Sequence, residues 1–488
     1  MPSTNCRHAN PTLNRLWCLV LLAGLVAPLS AQTSARARQA TLAHVDALTG
    51  DIGQMAQTLW DYSEIAMLES RSAGYLADLL EKEGFKLQRN SAGMPTAFVA
   101  EYGSGRPIIG ILAEYDALPG VGNAVVPKKL VRDDGVLSGQ GCGHNLFGAG
   151  SIGAAIALKR TMEAQGIKGT LRLYGTPAEE TLVGKTYMAR DGLFNDLDAA
   201  LDWHPTTVNA VSNSGTQANN NFTVEFRGQA AHAAFDPWNG RSALDAVELM
   251  AHGVNMMREH IKPTARVHYV IPSAGEAPNV VPEYARIWFF VRDADRPSVE
   301  AHYAWRQKIA EGAALATRTT HSIHLITGVH EYLFNRPIQE LMQKNLELVG
   351  APRFGEEEQQ FAREMQAGLG LPVVGLDTTI KPLAPTQQPL EGGSTDVAEV
   401  SWITPTAAFG VATASAGLPW HSWATSASHG VPGSSKAAVV AAKVLALTGL
   451  DLLTNPALLV KAKADFAAKT AGKPYQTPIP EGQKPPVP

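Results

Sequence analysis

In Gly141-Cys142-Gly143-His144-Asn145 the chain presents a thiol and an imidazole two residues apart. Adjacent carboxylates follow in Gly175-Thr176-Pro177-Ala178-Glu179-Glu180, then come Asp202-Trp203-His204-Pro205 and, far downstream, Trp420-His421-Ser422-Trp423. Ala113-Glu114-Tyr115-Asp116 precedes them all. Singly, each has an ordinary reading: a hydrogen-bonded histidine, a solvated Glu-Glu pair, a small cysteine packed between glycines. Together, thiolate, imidazole and carboxylate form the donor set of zinc or a similar divalent ion. Five or more candidates point to two ions rather than one. Two ions a few ångströms apart would share a hydroxide for attack on an amide or ester carbonyl.

Such side chains act only if separate stretches of backbone deliver them to one place. Ile108–Leu112 is continuously apolar, as expected of a strand covered on both faces, and Thr170–Tyr174, Ala199–Leu201 and Thr406–Val411 are similar. A small-residue helix from Leu146 to about Met162 lies between the first two. This rhythm predicts an α/β fold with a central, mostly parallel sheet. Ligands of such sheets gather outside the carboxyl ends of the strands, where every candidate group above is expected. The middle of the chain differs. Strands at Asn221–Arg227, Arg266–Ile271, Ala285–Arg292 and His321–Ile326, with helices at Ser242–His260 and Ser298–Leu315, give the ferredoxin-like order βαββαβ. The expected organisation is a discontinuous catalytic domain (32–214 and 331–472) interrupted by an inserted unit (215–330).

The 488 residues carry 41 Lys plus Arg against 45 Asp plus Glu, a formal charge of −4. That balance gives no broad basic footprint for nucleic acid. Arg7, His8 and Arg15 precede the apolar run Leu16–Val26 and then Ala27-Pro28-Leu29-Ser30-Ala31, the order of a secretory signal cut after Ala31. Residues 1–31 are therefore expected to be removed, and the mature chain to be periplasmic or secreted with no membrane attachment. No later stretch is expected to reach the roughly 20 apolar residues of a transmembrane helix. Cys6 and Cys18 would leave with the signal, so Cys142 is the one cysteine of the mature chain and has no disulfide partner. Residues 473–488 contain six prolines and are expected to form an extended tail outside the packed core.

The motifs quoted above, with Ala230-Ala231-His232-Ala233-Ala234 and Gly240-Arg241-Ser242-Ala243-Leu244-Asp245-Ala246, resemble the M20 metallopeptidase and amidohydrolase family. The Cys-Gly-His variant is that of its aminoacylase and hippurate-hydrolase branch. Pro278-Asn279-Val280-Val281-Pro282 and Ser394-Thr395-Asp396-Val397 most resemble the p-aminobenzoyl-glutamate hydrolase B type. The resemblance runs from about Ala40 to Ala467. It implies a dimetal catalytic domain and a lid or dimerisation domain, hence a homodimer acting on a small-molecule amide. Carried over by position, it makes Cys142 (bridging), His144, Glu180, His204 and His421 ligands of two divalent cations, zinc first, manganese or cobalt otherwise. It makes Glu179 the general base and places His232 at an oxyanion, in the dimer partner's site. Asn279 and Arg292 fall where lid residues hold substrate. His429 competes for the last ligand position, with the His-Ser-Trp context favouring His421.

Two rivals are distinguishable. A metal-independent hydrolase would use Ser151, in Ala149-Gly150-Ser151-Ile152-Gly153, or Cys142 with His144. A binding protein without catalysis would show a damaged ligand set, whereas all five ligands and the base are present. No dinucleotide fingerprint is found: Gly139-x-Gly141 runs on to His144 where a third glycine belongs. Tyr115, Trp203, Phe235, Trp238 and Trp420 hint at a flat substrate.

Overall fold

The computed structural model describes residues 1–2, 35–388 and 392–487; the apolar run Leu16–Val26 and the cleavage point after Ala31 lie outside the described residues. Among the described residues, eleven strands form two sheets. In the first, β4 (Gly169–Gly175), β3 (Ile108–Ala113), β5 (Ala199–Thr206) and β11 (Thr406–Ala412) are adjacent and parallel. Antiparallel β2 (Phe98–Ser104) and β1 (Lys86–Arg89) complete one side, and β6 (Ala210–Val211) the other. The fold is thus mixed α/β around a mostly parallel sheet.

β3 and β11 are buried almost throughout because helices cover both faces, and so their sequences show no alternation. One covering helix, His144–Gln165, is buried nearly all round. Its glycines and alanines admit close neighbours: a Cβ on Gly153 would meet Ile52 Cδ1 at 2.6 Å, and one on Gly150 would meet the Trp203 ring at 3.0 Å. Against it packs Ser435–Thr454. With the turn before it, that second helix is long and apolar enough to cross a bilayer, contrary to the expectation that no such stretch exists beyond the leader. Its Ala, Val and Leu side chains are buried in the core instead.

The second sheet is antiparallel, in the order β10 (Thr320–Val329), β7 (Ala218–Arg227), β9 (Tyr284–Asp293), β8 (Arg266–Ser273). Helices Ala243–Met257 and Arg296–Thr317 cover one face, giving the chain order β-α-β-β-α-β and a core of its own around Phe222, Phe226, Val247 and Phe289. β9 runs in strict in–out alternation along its length.

The tail departs from expectation. It is extended, yet Ile479 is buried with Leu112, Val183, Tyr187 and Phe194. Gln483 Nε2 donates to Tyr187 Oη at 2.8 Å and to the β10 carbonyl of Leu325 at 2.7 Å, so the tail touches both units. Proline prevents a helix or an inner strand here without preventing docking.

Candidate metal centre

The parallel strands all point their carboxyl ends at one cleft of about 640 Å³. β3 ends one residue before Glu114. β4 ends before a turn in which Ala178 (φ 57°) and Leu182 (φ 62°) flank Glu179 and Glu180 in left-handed backbone. His421 is also left-handed, at φ 56°. Such conformations cost a non-glycine residue about 1–3 kcal/mol each, and they collect at functional sites. β5 extends to Thr206, so Asp202 and His204 lie within the strand rather than past its end, paired with Ala408 and Gly410 of β11. Polar residues at the carboxyl end of a central strand face the cleft, and apolarity alone ends the strand too soon. His144 opens its helix, held by Gly143 at φ 87°, where a Cβ would strike Pro205 at 2.8 Å.

Five expected ligands converge. Single donor atoms of Cys142, His144 and His204 lie within 4.8 Å of one another, and so do those of Cys142, Glu180 and His421. Cys142 belongs to both groups. Its Sγ is 3.5 Å from His204 Nε2, and Glu180 Oε2 is 3.4 Å from His421 Nε2. His144 Nδ1 donates to Asp116 Oδ1 at 2.9 Å, and His204 Nδ1 to the Pro205 carbonyl at 2.6 Å. Both rings therefore keep Nε2 free for the centre, the arrangement of metal-binding histidines. His429 does not: Nδ1 donates to the Gln140 carbonyl at 2.7 Å, and Thr413 Oγ1 lies 3.0 Å from Nε2. Glu179 is buried, its Oε2 3.9 Å from His144 Nε2.

The electrostatics of the cluster call for cations. Burial, with Glu114, Asp396 and Glu180 nearby, holds the Glu179 carboxyl well above the usual range, and burial pushes Glu180 up to about 8. Burial and Glu180 raise the Cys142 thiol to about 12. Burial opposes charge on His144, but Cys142, Asp116 and Glu114 outweigh it and raise its pKa well above normal. His144 Nε2, Glu180 Oε1 and Glu114 Oε2 are buried without a hydrogen-bond partner. Unpaired buried donors of this kind, with the carboxylates crowded among their own charge, fit divalent ions, which convert a coordinating thiol to thiolate. Cys142 raised in this way is no metal-free nucleophile. Ser151 is buried inside its helix and not at a strand–helix elbow.

Arg292 of β9 reaches the cleft from the inserted unit, as does Phe290. His232 and Asn279 do not reach it. They are exposed on the inserted unit, where the Asn279 carbonyl accepts the Ala233 N–H at 3.0 Å and His232 Nδ1 accepts that of Phe235 at 3.1 Å. Of the five aromatics expected near substrate, only Trp420 lines the cleft. Tyr115 and Trp203 are core residues, and Phe235 and Trp238 are exposed. Phe290, Tyr332 and Phe334 line it instead, brought there by strand alternation and chain return that give no local signal. Asp116, whose Oδ2 accepts the Glu180 N–H at 3.0 Å, acts from outside the ligand set.

Residues 110–412 match Peptidase family M20/M25/M40. The chain is 38% identical over 460 residues to the B component of p-aminobenzoyl-glutamate hydrolase from Escherichia coli K12, covering 88% of this chain and 95% of that protein. It is 29% identical to human Xaa-Arg dipeptidase, covering 87% and 91%. Among solved structures, the aminobenzoyl-glutamate utilization protein of Klebsiella pneumoniae superposes with a TM-score of 0.58 at 18% identity, covering 83% of this chain and 97% of that one. A dinuclear metal binding peptidase of family M20 from Bacillus subtilis gives 0.53 at 20% identity, covering 84% and 99%.

Proposed function

The chain belongs to the M20/M25/M40 peptidase family, and on that premise we propose that it hydrolyses the amide bond of an N-acyl or N-aroyl amino acid, or of a dipeptide-like substrate, with two divalent cations per subunit. The observation that carries the proposal is the membership of Cys142 in two donor groups, with His144 and His204 in one and Glu180 and His421 in the other. Cations held there would polarise the scissile carbonyl and lower the pKa of water towards neutrality. Thiolate and imidazole favour zinc; the carboxylates admit manganese or cobalt.

The chain's own residues supply the rest. Glu179 is the general base. Burial makes this carboxylate more basic than a solvated one, so beside cations it can take a proton from water and return it to the departing amine. Asp116 fixes the tautomer of His144. Arg292, whose Nε has no hydrogen-bond partner, offers its guanidinium to a substrate carboxylate. Phe290, Tyr332, Phe334 and Trp420 give flat walls for an aroyl group. Because Arg292 and Phe290 belong to the inserted unit and the expected ligands to the other, closure of that unit as a lid would complete the site and exclude water. In a homodimer joined through the inserted units, the exposed His232 would stabilise the oxyanion in the cleft of the other protomer. The basic, apolar and small-residue order of residues 1–31 supports export, which would part the enzyme from intracellular folate fragments and favour other N-acyl amino acids.

The test is a screen of N-acyl amino acids, p-aminobenzoyl-glutamate and dipeptides on mature protein reconstituted with zinc, manganese or cobalt. Each substrate is offered as free acid and as amide. Turnover should need metal, and Arg292→Ala should raise KM for the acids far more than for the amides. Full activity after exhaustive chelation would overturn the proposal.

A further inference from the structure

Behind the donor cluster lies a fully buried lysine that the mechanism above does not use. Lys185 Nζ forms ion pairs with Glu114 Oε1 at 2.8 Å and with Asp396 Oδ1 at 2.5 Å, while Asp396 Oδ2 accepts the Lys185 backbone N–H at 2.8 Å. All three side chains are at most 1% exposed. The ammonium therefore clamps together the exit of β3, the short helix Gly184–Arg190 and the start of the helix Val397–Ser401. A lysine buried this completely pays for its lost hydration only through paired charge.

What the clamp achieves is seen at the other oxygen of Glu114. Oε2 lies 3.1 Å from His144 Nε2, and neither atom has a hydrogen-bond partner. Donor atoms of Glu114, His144 and Glu179 all fall within 4.8 Å of one another. Two bonds of about 2.0–2.1 Å to one tetrahedral ion put their donor atoms roughly 3.3 Å apart, close to this separation. Resting on the dimetal reading, we propose that Lys185 is a positioning residue: it holds one oxygen of Glu114 so that the other is a further carboxylate donor to the cation bound by His144. The expected ligand set omits Glu114, and the lysine takes the place of a hydrogen-bonding partner that orients a ligating carboxylate. Without Lys185, Glu114 and Asp396 would confront each other and Asp202 with no counter-charge between them.

The test uses the full mature chain, stripped by chelation and titrated with Co²⁺ alone, reading the visible absorption spectrum and the affinity by chelator competition. E114Q keeps the shape of the side chain and decides the matter even if K185M fails to fold. E114Q should alter the Co²⁺ bands and weaken the site that includes His144 by about 10–100-fold. Folded K185M should do the same with Glu114 intact, and K185M/E114Q should add little to E114Q. Wild-type bands and affinity in E114Q, or in folded K185M, would overturn the proposal while leaving the dimetal reading in place. A wild-type chain that takes up no Co²⁺ would overturn both.

Discussion

Asp116 and His144 are joined by a 2.9 Å hydrogen bond from Nδ1 to Oδ1, wholly buried, while the other Asp116 oxygen accepts the Glu180 backbone N–H. One carboxylate thus orients two expected ligands that arrive on different elements. D116N would turn an NH2 towards either His144 Nδ1–H or the Glu180 N–H, both of which need an acceptor. Metal affinity should fall about 10–100-fold with the fold retained. Chelator competition on folded D116N checks this, and an unchanged affinity would count against the orienting role.

E179Q separates binding from chemistry. Glu179 is read as base rather than ligand, so the variant should bind metal as the parent does and lose about 10²–10⁴ in kcat. Metal content by elemental analysis and turnover with a substrate from the screen give both numbers. Parallel losses of metal and activity would instead make Glu179 a ligand.

His232 is exposed on the inserted unit and does not line the cleft of its own chain. If it serves the other protomer, H232A and E179Q homodimers should each be nearly inactive. Mixed dimers should regain one working site, since each site draws one residue from either protomer and one site then has both intact. Activity that never rises on exchange of protomers would rule out service across the dimer.

Asp198 offers a stability test away from the centre. Burial opposes its charge, but Lys463, the Ile108 N–H and Arg106 outweigh burial and lower its pKa. A carboxylate lowered on folding stabilises fully above its unfolded value of about 3.9, and the benefit is lost as pH falls through the folded value. Its two cationic partners are half exposed, so solvent screens the ion pairs. D198N should cost about 1–2 kcal/mol at pH 7, with the gap closing below about pH 4. Urea unfolding across pH 3–7 measures it, and a gap constant with pH would refute the assignment.

How far the sequence alone reached depended on how local each signal was. β3 and β11 announce themselves because burial on both faces leaves unbroken apolar runs, and Gly141-Cys142-Gly143-His144 stands out because its groups are adjacent. The end of β5 did not, since Asp202 and His204 look like a loop until the cleft is seen beside them. Lys185 resembles any helical surface lysine, because its two counter-ions come from just past β3 and from beyond β10. Ile479 and Gln483 read as a solvated tail because proline content reports local conformation and says nothing of docking. Asp116 was in view at the strand exit, but its partnership with His144 exists only once helix and strand are packed together.

Cys142 stands in both donor groups, where two cations would share it. The most direct measurement is titration of the chelator-stripped protein with Zn²⁺ or Co²⁺, following bound metal and activity together, beside C142A. Two equivalents per chain with activity rising as they fill, and loss of both tight sites in folded C142A, is the predicted result. One equivalent or none in the parent, or a C142A variant that still binds two ions as tightly, would contradict it.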